Sequence, residues 1–153
     1  MERRWLKPVG LVLAGVFIVY AVVYVDVMHR ARASYLEGEK YKEWYRNPSK
    51  KLADLEAVYN KQRATLDKDK SSGSLSEDEY ATRVASLEFE KKFQLSESSL
   101  KYAYQWYKDT YELFSPPESK WVKMAREKAP STLELWKKEL HEKKISFEET
   151  MVR

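Results

Sequence analysis

Apolar residues fall into two different patterns along this chain. Residues 8–25 form one apolar run without a charged residue, whereas the remainder places apolar residues at three- and four-residue intervals among Lys, Arg, Asp and Glu. The first pattern is typical of a membrane-spanning helix, and the second of amphipathic helices with one apolar face. We therefore predict an all-α protein with a single transmembrane helix over residues 8–26, preceded by a short basic head over residues 1–7.

The apolar run has two other interpretations, a cleaved signal peptide and a buried helix of a soluble domain. It is longer than the apolar core of a typical signal peptide, and Ala31-Arg32-Ala33, a small-x-small pattern that resembles a cleavage site, lies several polar residues beyond it. Gly10 and Ala14 form a small-xxx-small pair at which another helix could pack, and Tyr20 is a further candidate for packing in the membrane. Basic residues flank both ends, so the orientation rests on the short head and long tail, which favour a tail outside the cytoplasm.

The segment after the span is predicted to remain helical. No strong stop signal occurs before Asn47-Pro48, which predicts a juxtamembrane helix over residues 27–48. A helical hairpin is predicted over residues 49–114, because the Ser- and Gly-containing segment 70–75 is a polar turn between two amphipathic stretches. The first arm carries apolar or uncharged residues at the spacing of a coiled-coil seam: Leu52, Leu55, Tyr59, Gln62 and Leu66.

The second arm of this hairpin is predicted to be one long helix over residues 76–114. Ser76 and Glu79 form a capping box at its start, and neither Gly nor Pro follows until Pro116. Its length would be about 58 Å at 1.5 Å per residue. The first arm, about 20 residues long, would then cover only the first half of it, leaving the aromatic half bare.

That aromatic half has more apolar surface than one neighbouring helix covers, since each ring buries roughly 150–250 Å². Residues 115–153 are predicted to form two short helices, broken at Ala129-Pro130, with a second capping box opening at Ser131. The aromatic residues are then either the core of a small helical domain or contacts to a partner protein. The candidate partner contacts are Tyr102, Trp106, Tyr107, Tyr111, Trp121 and Trp136.

Composition narrows the range of functions. There is no cysteine, which excludes disulfides and iron–sulfur ligation by this chain, and there are only two histidines. The 28 basic and 24 acidic residues are nearly balanced, which does not favour binding to nucleic acid. No phosphate-binding glycine loop, zinc-binding H-E-x-x-H or G-x-S-x-G nucleophile motif occurs. We expect neither catalysis nor a cofactor.

Three hypotheses fit an anchored, aromatic-rich helical chain. The first is an accessory or assembly subunit of a larger membrane complex, in contact with membrane lipid and with unlike subunits. The second is a self-associating coiled-coil scaffold, and the third is an adaptor that recruits a peripheral protein to the membrane. The coiled-coil seam is short and contains Gln62, so the sequence favours a hetero-complex over a homo-oligomer.

Overall fold

The computed structural model describes residues 6–146, with side chains from residue 9, and all regular structure in this part of the chain is α-helical. The helices are α1 (Leu6–Arg46), α2 (Pro48–Ser71), α3 (Glu77–Ser96), α4 (Ser99–Leu113) and α5 (Lys120–Glu142). The prediction of an all-α protein with one long apolar N-terminal helix is confirmed. Most of the predicted basic head, residues 1–5, and the end of the predicted tail, residues 147–153, lie outside the described residues.

Helix α1 is long and apolar enough to cross a membrane. No residue of its most apolar 18-residue window is buried by the rest of the chain. A window of this length measures about 27 Å along the helix, close to the thickness of the hydrocarbon core of a bilayer. α1 then continues to Arg46, and the Asn47 side chain caps the start of α2 by accepting a hydrogen bond from the Lys50 amide. The boundary predicted at Asn47-Pro48 is confirmed.

The chain divides into two compact units. The first unit combines residues 1–39 with residues 101–153, and the second unit consists of residues 40–100. The first unit therefore contains most of α1 together with α4 and α5, and the second contains the end of α1 together with α2 and α3. Each unit has its own buried residues.

The second unit is built on α2 and α3, which lie side by side. Its core consists of Trp44, Leu55 and Tyr59, against which three partly buried residues pack: Tyr41, Leu87 and Leu95. Contacts along the two helices run in opposite directions, so the pair is antiparallel. These contacts join Lys91 to Glu56 at 3.3 Å, Arg63 to Glu88 at 3.4 Å and Tyr80 to Asp67 at 2.5 Å.

The turn between α2 and α3 depends on local chemistry. Gly73 has a φ angle of +76°, a left-handed conformation that side chains other than glycine rarely adopt. Ser76 then caps α3: its hydroxyl accepts a hydrogen bond from the Glu79 amide at 3.3 Å, and the Glu79 carboxylate accepts one from the Ser76 amide at 3.1 Å. The capping box predicted at Ser76 is confirmed.

The prediction of one continuous helix over residues 76–114 is wrong, because α3 ends at Ser96 and α4 begins at Ser99. Glu97 between them is extended, with φ −68° and ψ 144°. Three of the four residues from 96 to 99 are serine, whose hydroxyls compete with the helix for backbone groups. The Ser96 hydroxyl donates to the Phe93 carbonyl at 2.8 Å. As a result α2 and α3 have similar lengths, 24 and 20 residues, rather than one arm covering half of the other.

The C-terminal end of α3 is held by a lysine of α2. The buried Lys51 ammonium donates to the carbonyl oxygens of Leu95 at 3.2 Å and Glu97 at 2.8 Å. Leu95 lies in the last turn of α3, where carbonyl groups lack a donor from the same helix, and Glu97 follows directly after the helix end. A cation also stabilises the negative end of a helix dipole. Lys51 thus stabilises the point at which the long helix of the prediction is interrupted.

We expect Lys51→Met to destabilise the second unit by about 1 to 2 kcal/mol, because it leaves two helix-terminal carbonyls without their charged donor. Lys50→Met is the matched control. Lys50 pairs with Glu43 at 2.7 Å in solvent, where an ion pair contributes little to stability. Denaturant unfolding of the full chain in detergent measures the free energy of unfolding of both variants. Equal losses for the two variants would contradict a capping role for Lys51.

The prediction of two short C-terminal helices is also wrong, since α5 is a single helix with Pro130 inside it. The predicted capping box at Ser131 is absent. Instead, the hydroxyls of Ser131 and Thr132 donate to the Lys128 carbonyl within the helix, at 3.0 Å and 2.9 Å. A buried face at helical spacing runs past the exposed proline and offsets its cost of about 3 kcal/mol. This face consists of Val122, Ala125, Ala129 and Thr132.

Candidate functional site

A cluster of charged and phenolic groups joins α1, α4 and α5 in the first unit. The Lys128 ammonium donates to the Tyr35 hydroxyl and to the Glu39 carboxylate, each at 2.6 Å. The Tyr107 hydroxyl donates to the same Glu39 oxygen. The Tyr35 ring contacts those of Tyr107 and Trp121, with centroids 5.7 Å and 5.5 Å away. One lysine of α5 and one tyrosine of α4 therefore converge on one carboxylate of α1.

Burial and hydrogen bonding shift the pKa values of the groups in this cluster. Burial by itself would raise the pKa of Glu39, but the hydrogen bonds from Lys128 and Tyr107 outweigh it and lower that pKa below its ordinary value of 4.5. Burial would lower the pKa of Lys128, but its bonds to Glu39 and Tyr35 raise it above 10.5. Burial raises the pKa of the Tyr35 hydroxyl. At neutral pH the site thus holds a carboxylate, an ammonium and neutral phenols.

This arrangement predicts the pH dependence of the first unit. Because the Glu39 pKa is lowered on folding, its stabilisation is complete above 4.5 and is lost as the pH falls through the folded value. The Lys128 pKa is raised, so its contribution is complete below 10.5 and is lost as the pH rises further. Glu39→Gln should therefore lower the melting temperature at neutral pH, and this difference from the native chain should shrink below pH 4.5.

Thermal melts of the full chain in detergent, followed by circular dichroism across the acid range, measure this difference. Lys128→Met serves as the second variant. Its melting-temperature difference from the native chain should also shrink below pH 4.5, since Glu39 in this variant has no Lys128 ammonium beside it to keep it ionised. A Glu39→Gln deficit that stays constant from neutral to acid pH would contradict the assignment.

Close packing at Gly38 allows this cluster to form. A Cβ atom built on Gly38 would lie 2.7 Å from Cε1 and 2.8 Å from Cδ1 of Tyr107. Tyr107 is fully buried, so its ring has little room to retreat. Gly38 is therefore required for its size: the absent side chain leaves the space that the Tyr107 ring occupies beside α1.

A second polar contact lies one helical turn before Gly38. The Thr110 hydroxyl is 2.7 Å from the Ser34 hydroxyl, and the two hydroxyls reach the Trp106 carbonyl at 2.6 Å and 3.3 Å. Both side chains are buried. No buried side-chain polar atom among the described residues is without a hydrogen-bond partner, so this α1–α4 contact is satisfied internally.

The chemistry available here is that of a structural contact. The carboxylate and the ammonium of the cluster are bound to each other, and no group of three His, Cys, Asp or Glu residues within residues 6–146 could hold a metal ion. Its geometry fixes how α1, on leaving its apolar segment, packs against α4 and α5.

Comparison of the chain with family models, curated proteins and solved structures finds no match.

The aromatic residues predicted as partner contacts divide into one buried residue and five half-buried ones. Tyr107 is wholly inside the first unit, where its packing and hydrogen bond are internal. Trp121 contacts Tyr35, as described above, and Trp136 lies 6.0 Å from Tyr104. The half-buried residues, each with part of its surface open, are Tyr102, Trp106, Tyr111, Trp121 and Trp136.

The three residues predicted to pack in the membrane are all exposed along α1: Gly10, Ala14 and Tyr20. A Cβ atom on Gly10 would meet nothing within 4 Å, so no described part of the chain packs against this point. Tyr20 contacts only its helical neighbour Tyr24, with ring centroids 6.4 Å apart, among the ring contacts of the described residues. Within residues 9–146, nothing occupies this face of α1, so it is open to a helix of another molecule.

An exposed aromatic surface on α3 was not predicted. Leu87 and Leu95 of α3 face the core of the second unit. Phe89 and Phe93 each lie two residues, or about 200° around the helix, from a residue that faces α2, so they point away from it. Phe89 is 72% exposed and Phe93 is 50% exposed. The prediction of one long helix had placed the uncovered aromatic residues in its later half, residues 102–114.

Proposed function

We propose that this chain is a non-catalytic accessory, stabilising or assembly subunit of a larger membrane protein complex. Helix α1 anchors it in the bilayer, and the helices outside the membrane dock on unlike partner subunits. In this proposal the bulk of the chain lies on the extracytoplasmic side of the membrane. The small residues Gly10 and Ala14 offer a packing surface to a partner helix within the membrane, and Tyr20 is a further candidate contact on the same helix.

The exposed phenylalanine pair on α3 carries this proposal. Single exposed apolar residues are normal on a protein surface, but Phe89 and Phe93 lie one turn apart on the same face and would form a continuous aromatic patch. Aromatic residues are enriched at protein interfaces because each buries a large rigid area. None of the residues of α3 is buried within this chain, so its outward face is free to receive a partner.

The half-buried aromatic residues of the first unit provide a second docking surface. Trp106, Tyr111 and Trp136 each keep part of a large side chain open while the rest is fixed by packing. A partly fixed aromatic residue loses little conformational entropy on binding, which favours its use as a contact. Tyr107 is left out of this surface, because it has no exposed area.

The deciding experiment extracts the full chain in mild detergent through a tag after Arg153, sizes it under native conditions and identifies what co-purifies. We expect unlike membrane proteins in stoichiometric amounts. A homogeneous species that contains only this chain would overturn the proposal and favour the self-associating scaffold. Recovery of one peripheral soluble protein, without other membrane subunits, would favour the adaptor instead.

Phe89→Ser combined with Phe93→Ser tests the docking surface. Both residues are exposed, so the fold should persist, while recovery of the partner should fall by at least about tenfold if the pair is an interface centre. Phe89→Leu combined with Phe93→Leu is the matched control, because it keeps the face apolar and should retain most of the partner. If the serine pair co-purified as much partner as the native chain, α3 would not be the docking surface.

A further inference from the structure

Two basic side chains lie over the ring of Trp121 in the first unit. The Arg32 guanidinium carbon is 5.7 Å from the ring centroid, and the Lys120 ammonium nitrogen is 4.6 Å from it. Arg32 comes from α1 and Lys120 from the first turn of α5, so the fold brings together charges that are 88 positions apart in the sequence. Both residues are exposed.

Neither of these charges is neutralised within the part of the chain that the structure describes. No carboxylate lies within 4 Å of Arg32 or Lys120 among residues 9–146. Asp26, six residues before Arg32, is paired with Arg30 at 2.8 Å, and Glu118, two residues before Lys120, is paired with Arg126 at 2.6 Å. The pair beside Trp121 is therefore a site of excess positive charge.

The position of Arg32 along α1 places this charge beside the membrane surface. The charge-free segment of α1 ends at Val25, and Arg32 follows seven residues later, or about 10 Å along the helix axis. Helical side chains lean toward the N-terminal end of their helix, which for α1 is the end inside the bilayer. The guanidinium therefore extends back toward the headgroup layer, which adds about 5 to 8 Å to each side of the hydrocarbon core.

Trp121 strengthens this placement. Indole rings are enriched at the membrane interface, where the apolar ring meets lipid and the N–H group meets water. Both cations lie within cation–π distance of the Trp121 ring, which orients them without neutralising them. Lys123, three residues after Lys120 on the same face of α5, is exposed and adds a third positive charge nearby.

We propose that Arg32 and Lys120, arranged on Trp121, bind the phosphate of an anionic phospholipid headgroup in the leaflet where α1 leaves the bilayer. A guanidinium and an ammonium together suit a lipid with net negative charge, because a zwitterionic headgroup carries its own cation and gains less from two further ones. Lipid binding requires that α1 lies in a membrane, but it does not require a protein partner. The lipid proposal can therefore fail while the accessory-subunit proposal holds, and the reverse is also true.

The test is a native mass spectrometry titration of the full chain in detergent, with phosphatidylglycerol as the anionic probe and phosphatidylcholine as the zwitterionic one. The native chain should bind phosphatidylglycerol more tightly than phosphatidylcholine. Each basic residue near a membrane surface is worth roughly a fivefold change in affinity, so Arg32→Gln combined with Lys120→Gln should weaken phosphatidylglycerol about 25-fold. The affinity for phosphatidylcholine should change little.

A matched control removes the same charge elsewhere. Lys61→Gln combined with Lys68→Gln alters two exposed lysines of α2 and should leave the affinity for phosphatidylglycerol unchanged. An equal loss in this control would show a general charge effect and overturn the site, as would an unchanged affinity in the Arg32 and Lys120 variant. Inorganic phosphate in excess over the lipid provides the last arm: displacement of phosphatidylglycerol by it would make the site a free-anion site and overturn the lipid assignment.

Discussion

Replacing Gly38 with valine is expected to destabilise the first unit by about 3 kcal/mol. Even the first added carbon would lie 2.7 Å from the ring of Tyr107, well inside van der Waals contact. Tyr107 is fully buried and its hydroxyl is bound to Glu39, so a shift of the ring also breaks the hydrogen bond at the centre of the cluster. The measurement is the free energy of unfolding of the full chain in detergent, from denaturant titration.

Gly10→Val is the matched control, since it makes the same substitution in the same helix at a point where a Cβ atom meets nothing within 4 Å. It should leave the free energy of unfolding nearly unchanged. A double-mutant cycle sharpens the assignment: Tyr107→Ala removes the obstructing ring, so Gly38→Val should cost much less in that background. If the two substitutions were additive, the Gly38–Tyr107 contact would not be the cause.

Elements that depend on local chemistry were predicted from the sequence. The end of α1 was predicted because Asn47-Pro48 combines a capping side chain with a residue that cannot continue a helix. The start of α3 was predicted because Ser76 and Glu79 stand at the spacing of a capping box. The long apolar N-terminal helix was predicted for a similar reason, as its signal is an uninterrupted run in one short window.

Elements that depend on tertiary contacts were not predicted. The interruption at Glu97 lies in a stretch without Gly or Pro, and Lys51, which donates to the Glu97 carbonyl, is 46 residues away along the sequence. Pro130 is a strong stop signal by itself, yet the buried face of α5 runs past it. The 3-4-3 spacing of Val122, Ala125, Ala129 and Thr132 was visible in the sequence and could have revealed the continuous helix.

The polar cluster was missed because charged residues on amphipathic helices usually face solvent. Glu39 and Lys128 are 89 positions apart, and neither has a sequence motif around it. The available signal was the small residues of α1: Ala31, Ser34 and Gly38 stand at three- and four-residue intervals, which marks a helix face that another helix approaches closely. Such a face argues for packing, but it does not name the partner helix.

Trp44→Ala is expected to have the largest effect on the second unit, about 3 to 5 kcal/mol. Trp44 is 7% exposed, and it shares the core with Leu55 and Tyr59. Its indole N–H donates to the Asp54 carboxylate at 2.7 Å, so truncation both opens a cavity and leaves Asp54 without that donor. Hydrogen exchange on the full chain in detergent is the suitable measurement, because it reports the protection of α2 and α3 residue by residue.

Tyr45→Ala is the matched control, because it removes an aromatic ring that is exposed rather than buried. Tyr45 is the next residue of the same helix, but it is 45% exposed, so its truncation should lower the protection of α2 and α3 by less than about 1 kcal/mol. Trp44→Phe should fall between the two, since it keeps an aromatic ring in the core and loses only the hydrogen bond and part of the area. Equal losses for Trp44→Ala and Tyr45→Ala would mean that the core of the second unit does not depend on Trp44. A large loss for Trp44→Ala alone would show that the end of α1 contributes to the stability of the α2–α3 pair, and with it to the support of the exposed Phe89 and Phe93.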